Sequence, residues 1–200
     1  MLTVMATVTR PQPATIDDLL ALDPDARVEL IRGTLVDKPQ ASSGHSAAQT
    51  STPARLITPF QRRPGGPQPG GWWFFGELLI QLGREAFRPD VCGYRRERMP
   101  ERPQVPIVKL VPDWICEILS PSHETRDRVE KLQAYFRAGV PHYWLMNAEE
   151  RILEVYRRTD LAYALVLTAH RGDRVRAEPF DAVELAVDEL FGDDPEEPAP

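Results

Sequence analysis

WICEIL (Trp114–Leu119) is a six-residue run that is apolar at every position but one, followed by Ser120-Pro121. Its length and β-prone composition mark it as a buried strand. Glu117 stands in the middle. An unpaired carboxylate there would cost several kcal/mol or change its protonation state, so Glu117 requires a partner. That partner is an ion pair with one of the arginines, a metal, or the water at the edge of a cleft. After the strand a helix is expected from about Asp127 to Ala138, stopped by Gly139 and Pro141. HYWLM (142–146) then reads as a second buried strand.

A divalent ion such as Mg²⁺ takes a few protein oxygens and keeps several waters, so Glu117 would need a second carboxylate nearby. Two Pro-Asp pairs offer one, at Asp90 and Asp113. Asp113 precedes Glu117 by four residues, which in an extended strand is about 13 Å along the same face, too far to share an ion. Asp90 belongs to a different predicted strand, and neighbouring strands bring side chains to about 5 Å. Asp90 is therefore the better ligand, and Asp113 is read as a strand start or turn cap.

Only Lys38, Lys109 and Lys131 are lysines among the 24 basic residues. In a chain that otherwise uses arginine, a lysine hints at a specific role. On a helical wheel Val129, Leu132, Tyr135 and Phe136 form the buried stripe, with Lys131 at its margin. From there Lys131 can reach into a cleft along the core edge, or form an exposed i,i+4 pair with Asp127; spacing alone favours the exposed pair.

Outward from this centre the chain reads as mixed α+β, built mainly on antiparallel strands. TIDDLLAL (15–22) is a short helix, with Thr15 and Asp18 at capping-box spacing. Val28–Asp37 is a hairpin turning at Arg32-Gly33. A helix beginning near His45 is diluted to SAAQTSTPA and interrupted by Pro53, and Gln61–Gly71 is a flexible loop. Trp72–Leu82 and Ala86–Tyr94 form a second hairpin around Gly83. A third joins HYWLM to RILEVYRR across NAEE, and a fourth joins YALVLTAH to DRVRA across Arg171-Gly172. AVDELFG is a short closing helix. The expected organisation is a lead over 1–14, one domain over 15–191 and an acidic, Pro-rich tail over 192–200.

Composition narrows the classes. With 200 residues, 42% hydrophobic and 27% charged, the chain has the make-up of one ordinary globular domain. No apolar run approaches the roughly 20 residues of a membrane helix, and MLTVMATVTRPQP lacks the pattern of a secretory signal, so a cytoplasmic protein is expected. Cys92 and Cys116, without CxxC spacing, are expected to be buried thiols. The net charge of -6 argues against a general nucleic-acid coat but not against an enzyme whose metal site is itself acidic. A Ser-His-Asp hydrolase has little support, since SSGHS lacks the G-x-S-x-G elbow.

Taken in order, ELIRG, HSAAQ, FRPDV, CEILSPSHETRDRVEKLQAYFRAGVPHYWLM and RILEVYRR resemble the Uma-type putative restriction endonuclease family of the PD-(D/E)XK nuclease superfamily. The resemblance runs from about Thr15 to Phe191. It implies a restriction-endonuclease-like αβββαβ core with added hairpins and Mg²⁺-dependent (or Mn²⁺-dependent) phosphodiester cleavage. The implied substrate is nucleic acid, with DNA the first expectation. Asp90 matches the PD aspartate and Glu117 the (D/E) glutamate. The superfamily lysine would stand two residues later, where this chain has Leu119, and the family pattern points instead to Lys131 on the following helix. Glu29, Glu77 and His45 are auxiliary candidates, and the expected metal ligands are Asp90, Glu117 and the backbone carbonyl of Ile118. Arg126 and Arg128 could meet phosphates or form a solvated helix face. A homodimer is also implied, with Trp72-Trp73 and Tyr143-Trp144 as either its face or core packing. The competing expectation is a catalytically silent nuclease-like fold that binds nucleic acid or protein.

Overall fold

The computed structural model describes residues 12–120 and 126–194. The expected lead up to residue 11, the last six residues of the tail and PSHET of the family pattern lie outside the described residues, as do the side chains of Arg126 and Asp127.

The chain starts as the sequence implies. Helix α1 (Ile16–Leu20) carries a capping box: the Asp18 N–H donates to Thr15 Oγ1, and the Thr15 N–H donates back to Asp18 Oδ2 at 2.8 Å. Strands β1 (Val28–Ile31) and β2 (Thr34–Asp37) pair antiparallel across Arg32 and Gly33, both at positive φ (50° and 75°) as a tight two-residue turn requires.

Helix α2 (Ser43–Phe60) then departs from expectation, because its 18 residues run unbroken through Pro53 and Pro59. Packing overrides the local cost of proline. The helix lays His45, Ala48, Thr52, Leu56 and Phe60 into the interior, and the Thr52 hydroxyl donates to the Leu190 carbonyl at 3.0 Å.

The expected second hairpin divides between two sheets. β3 (Trp72–Gly76) pairs with β6 (Val91–Arg95), whereas β4 (Ile80–Leu82) and β5 (Glu85–Phe87) turn around Gly83 and join β1. The break falls at Glu77, whose φ of 51° kinks the chain out of the first sheet. β7 (Trp114–Leu119) is buried at all six positions. A π-helical turn (Arg126–Lys131) leads into α3 (Leu132–Ala138), capped by Gly139 at φ 87°. β8 (His142–Asn147), β9 (Ile152–Arg158) and β10 (Tyr163–Ala169) follow. The expected fourth hairpin is not formed: β11 (Arg174–Val175) pairs with β12 (Leu185–Ala186) and β10 with β9, before α4 (Val187–Phe191) closes the described chain.

Six strands form the main sheet in the order β10-β9-β8-β7-β6-β3, antiparallel except for β7 and β8, which the α3 crossover makes parallel. Read along the chain, α2-β3-β6-β7-α3-β8 is the αβββαβ core, with β4-β5 inserted. One sheet face packs on α2, α4 and Phe180, the other on α3 and the smaller sheet β2-β1-β5-β4. Trp72, Tyr143 and Trp144 are interior, at most 2% exposed, and belong to the core, whereas Trp73 is half-buried at the sheet edge.

Phe180 centres the first core, with ring centroids 5.0–5.5 Å from Phe60, Trp72, Phe74, Trp114 and Trp144. Phe180→Ala should lower unfolding free energy by about 3–5 kcal/mol, read from urea denaturation followed by tryptophan fluorescence. A loss below about 1 kcal/mol would contradict this packing.

Candidate functional site

The register of β6 and β7 sets the site. Val91 opposes Cys116, so Asp90, one residue before β6, comes level with Glu117, and their side chains share the face that carries α3. Asp90 is fixed there by the backbone N–H of Ile118, which donates to Asp90 Oδ2 at 2.8 Å. Asp90 also lies where the chain crosses from the smaller sheet to the larger, and Glu77 lies at the opposite crossing, between β3 and β4. The seam between the sheets thus collects polar groups that neither core could hold.

Lys131 joins this seam because the π-helical turn alters the helical phase. In an unbroken α-helix Val129 would face inward; here Val129 is 46% exposed, and Lys131 is buried at 3%. The expected exposed pair is therefore replaced by a buried one: Lys131 Nζ lies 3.1 Å from both Glu117 Oε1 and Glu29 Oε1. Glu29 projects from β1 on the side of Ile31 and also accepts from the Arg88 backbone N–H at 2.8 Å. Tyr135, one turn beyond Lys131, donates its hydroxyl to Glu117 Oε1 at 2.5 Å. Burial first, and the charges of Glu117 and Glu29 second, push the Tyr135 pKa far up, so it remains a neutral donor.

A second lysine, Lys38, directly follows β2. Its ammonium donates to Asp90 Oδ1 at 2.8 Å, Glu77 Oε1 at 3.2 Å and the Arg88 carbonyl at 2.7 Å. Burial works to strip its proton, but the charges of Asp90 and Glu117 outweigh that and hold its pKa above the ordinary lysine value. Asp90 is shifted the other way. Burial would raise its pKa, yet the His45 hydrogen bond and the charges of Lys38, His45 and Lys131 keep it well below the usual carboxylate range. Glu77, also raised by burial, is lowered overall by Arg27, Lys38 and Gln49.

His45, in the first turn of α2, places Nε2 3.3 Å from Asp90 Oδ1, while its buried Nδ1 has no hydrogen-bond partner among the described residues. Asp113 behaves as the turn cap expected of it: its carboxylate accepts from the Arg95 backbone N–H and pairs with Arg98 at 2.7 Å. Arg128 is paired with Glu154 at 2.7 Å rather than forming a solvated face. Cys92 and Cys116 are buried free thiols.

All six side chains singled out in the sequence therefore adjoin one seam, with Asp90, Glu117, Lys131, Glu29 and His45 lining a single cleft together with Arg27, Lys38 and Ile118. Glu77 reaches it through Lys38. The sequence reading missed Lys38, Gln49 and Tyr135; the rarity of lysine was the one signal that marked Lys38. The cleft's interior is about 20 Å³, room for a water molecule or a bare ion.

Its donors suit a hard divalent cation, since Asp90, Glu117 and the Ile118 carbonyl are oxygens and Mg²⁺ needs only one or two protein carboxylates. Among the described residues no three His, Cys, Asp or Glu side chains form a preformed metal cage. Lys38 holds Asp90 Oδ1, so an ion at that oxygen would displace the ammonium.

The family model described as "Uma2: Putative restriction endonuclease" matches residues 16–188. Among solved structures, a putative nuclease belonging to DUF820 from Anabaena variabilis ATCC 29413 is similar at 25% identity with a TM-score of 0.69. The match covers 90% of this chain and 98% of that one. No curated protein matches the chain. The fold is thus restriction-endonuclease-like. Among the described residues no helix is long and apolar enough to cross a membrane.

Lys131→Met leaves Glu29 and Glu117 buried without that ammonium, and should cost about 3–5 kcal/mol in urea unfolding. Adding Glu117→Gln to it should recover part of the loss. A single variant as stable as the wild type would show that the lysine does not balance these carboxylates.

Proposed function

We propose that this chain, which belongs to the Uma2 family of putative restriction endonucleases, is a metal-dependent endonuclease that hydrolyses phosphodiester bonds in DNA. The observation that carries this reading is the placement of Asp90 and Glu117 level with each other on adjacent strands, in one cleft shared with two buried lysines.

Asp90, Glu117 and the Ile118 carbonyl would hold one Mg²⁺ or Mn²⁺. Bound there, the ion would polarise the scissile phosphate and make an attacking water more acidic. The chain's own groups do the rest. The Ile118 N–H orients Asp90, and Tyr135 and Lys131 orient Glu117. Lys131 and Lys38 would supply positive charge against the negative charge that develops on the phosphate in the transition state. A homodimer rests on family resemblance alone and is not needed for this chemistry.

One observation favours a different reading. Asp90 and Glu117 already have ammonium partners within 3.1 Å, as they would in a catalytically silent fold whose lysines have taken over the role of the ion. Nicking of supercoiled plasmid in Mn²⁺ separates the two. The endonuclease reading predicts Mn²⁺-dependent cleavage that falls by on the order of 1,000-fold in Asp90→Asn, a variant that keeps an acceptor for the Ile118 N–H. Wild-type protein that cuts no form of DNA or RNA would leave only the silent fold.

A further inference from the structure

β3 is an edge strand of the main sheet, and its first residues carry an arginine cluster that the cleft does not use. Arg96 stacks on the Trp73 ring with its guanidinium carbon 3.5 Å from the centroid, and Arg102 lies over the same ring at 4.5 Å. Arg96 is tied to its place by donating to the carbonyls of Trp72 and Gln61, both at 3.1 Å. The loop bearing Arg63 is tied to the same strand end, since the Gly71 N–H donates to the Arg62 carbonyl and the Arg96 N–H to the Gly71 carbonyl. Arg95 covers Trp72 from the other face at 4.7 Å.

These arginines lack the counter-charges that Arg27, Arg98, Arg128 and Arg151 have. Among the described residues no carboxylate oxygen comes within 4.0 Å of the guanidinium nitrogens of Arg63, Arg95, Arg96 or Arg102, while Asp113, close by, is taken by Arg98. Glu97 and Glu101 share the loop but pair with none of them. The proximity of Arg102 and Arg63, after the effect of burial, draws the Arg96 pKa below its ordinary value. Like charges brought together on one indole, in a chain of net charge -6, call for an anion from outside.

We propose that this arginine–tryptophan edge docks the phosphodiester backbone of a nucleic acid. Trp73 lies on the same sheet face as Glu117. It opposes Tyr94, four residues along β6 from Asp90. That is about 13 Å, or roughly four base pairs of duplex rise. A strand held by the arginines would reach the cleft in one direction, and guanidiniums stacked on an indole suit phosphate contact without base readout.

The inference takes its partner, nucleic acid, from the nuclease reading, so the test is run in EDTA, where cleavage plays no part. Binding of labelled duplex DNA, single-stranded DNA and RNA is followed by anisotropy across roughly 50 to 200 mM NaCl. Arg63→Glu/Arg102→Glu changes two exposed side chains outside the cleft, and Arg84→Glu/Arg176→Glu makes the same change in net charge elsewhere. The expected result is about tenfold or greater loss of affinity in the first variant, a salt slope shallower by roughly 2, and little change in the second. The preferred ligand among the three identifies the source of the backbone. No binding by the wild type, equal loss in both variants, or no loss in either would overturn the proposal. Plasmid cleavage by a wild type whose binding ignores Arg63 and Arg102 would sink this surface alone. Arginine-dependent binding without cleavage would sink the nuclease reading alone.

Discussion

Carboxylates removed from water must be balanced where they stand, and this protein balances three of them, with the half-buried Glu77 beside them, at one seam. Asp90 and Glu117 are buried by the core strands on which they sit, and Glu29 by the smaller sheet packed against them. Their partners come from other elements: Lys38 after β2, His45 and Gln49 on α2, Lys131 and Tyr135 in the crossover from β7 to β8. Left unbalanced, each charge would cost several kcal/mol. The seam therefore couples the packing of the two sheets, α2 and α3 to the arrangement of one polar cluster. The same groups that make the fold consistent with its buried charges also form the cleft.

Much of this was legible in the sequence where a short-range rule operates. Glu117 announced itself as a charge inside an apolar strand. Asp90 prevailed over Asp113 on strand geometry alone, and the structure places Asp90 beside Glu117 and Asp113 on the Arg95–Arg98 turn. The capping box of α1 and the Arg32-Gly33 turn are likewise local signals that the fold keeps.

What was not legible depends on tertiary context. Pro53 reads as a break, but α2 remains helical because its buried face meets the sheet and α4. The π-helical turn before α3 has no periodic signature, so a wheel places Val129 inward and Lys131 at the margin, the reverse of what is found. Lys38 follows a hairpin strand and could only be suspected from its rarity; its contacts with Asp90 and Glu77 span 52 and 39 residues of sequence. The division of Trp72–Tyr94 between two sheets was hidden for a related reason. Alternation marks each strand but does not say which sheet it joins, and the kink at Glu77 decides that.

The site proposed at this seam would hold one divalent cation between Asp90 and Glu117. Titration of purified protein with Mn²⁺, followed by the electron paramagnetic resonance signal of the free ion, tests it without depending on any substrate. One bound Mn²⁺ per chain is expected, lost in a folded Asp90→Asn/Glu117→Gln variant. Binding that persists undiminished in that variant, or no binding by the wild type, would contradict it.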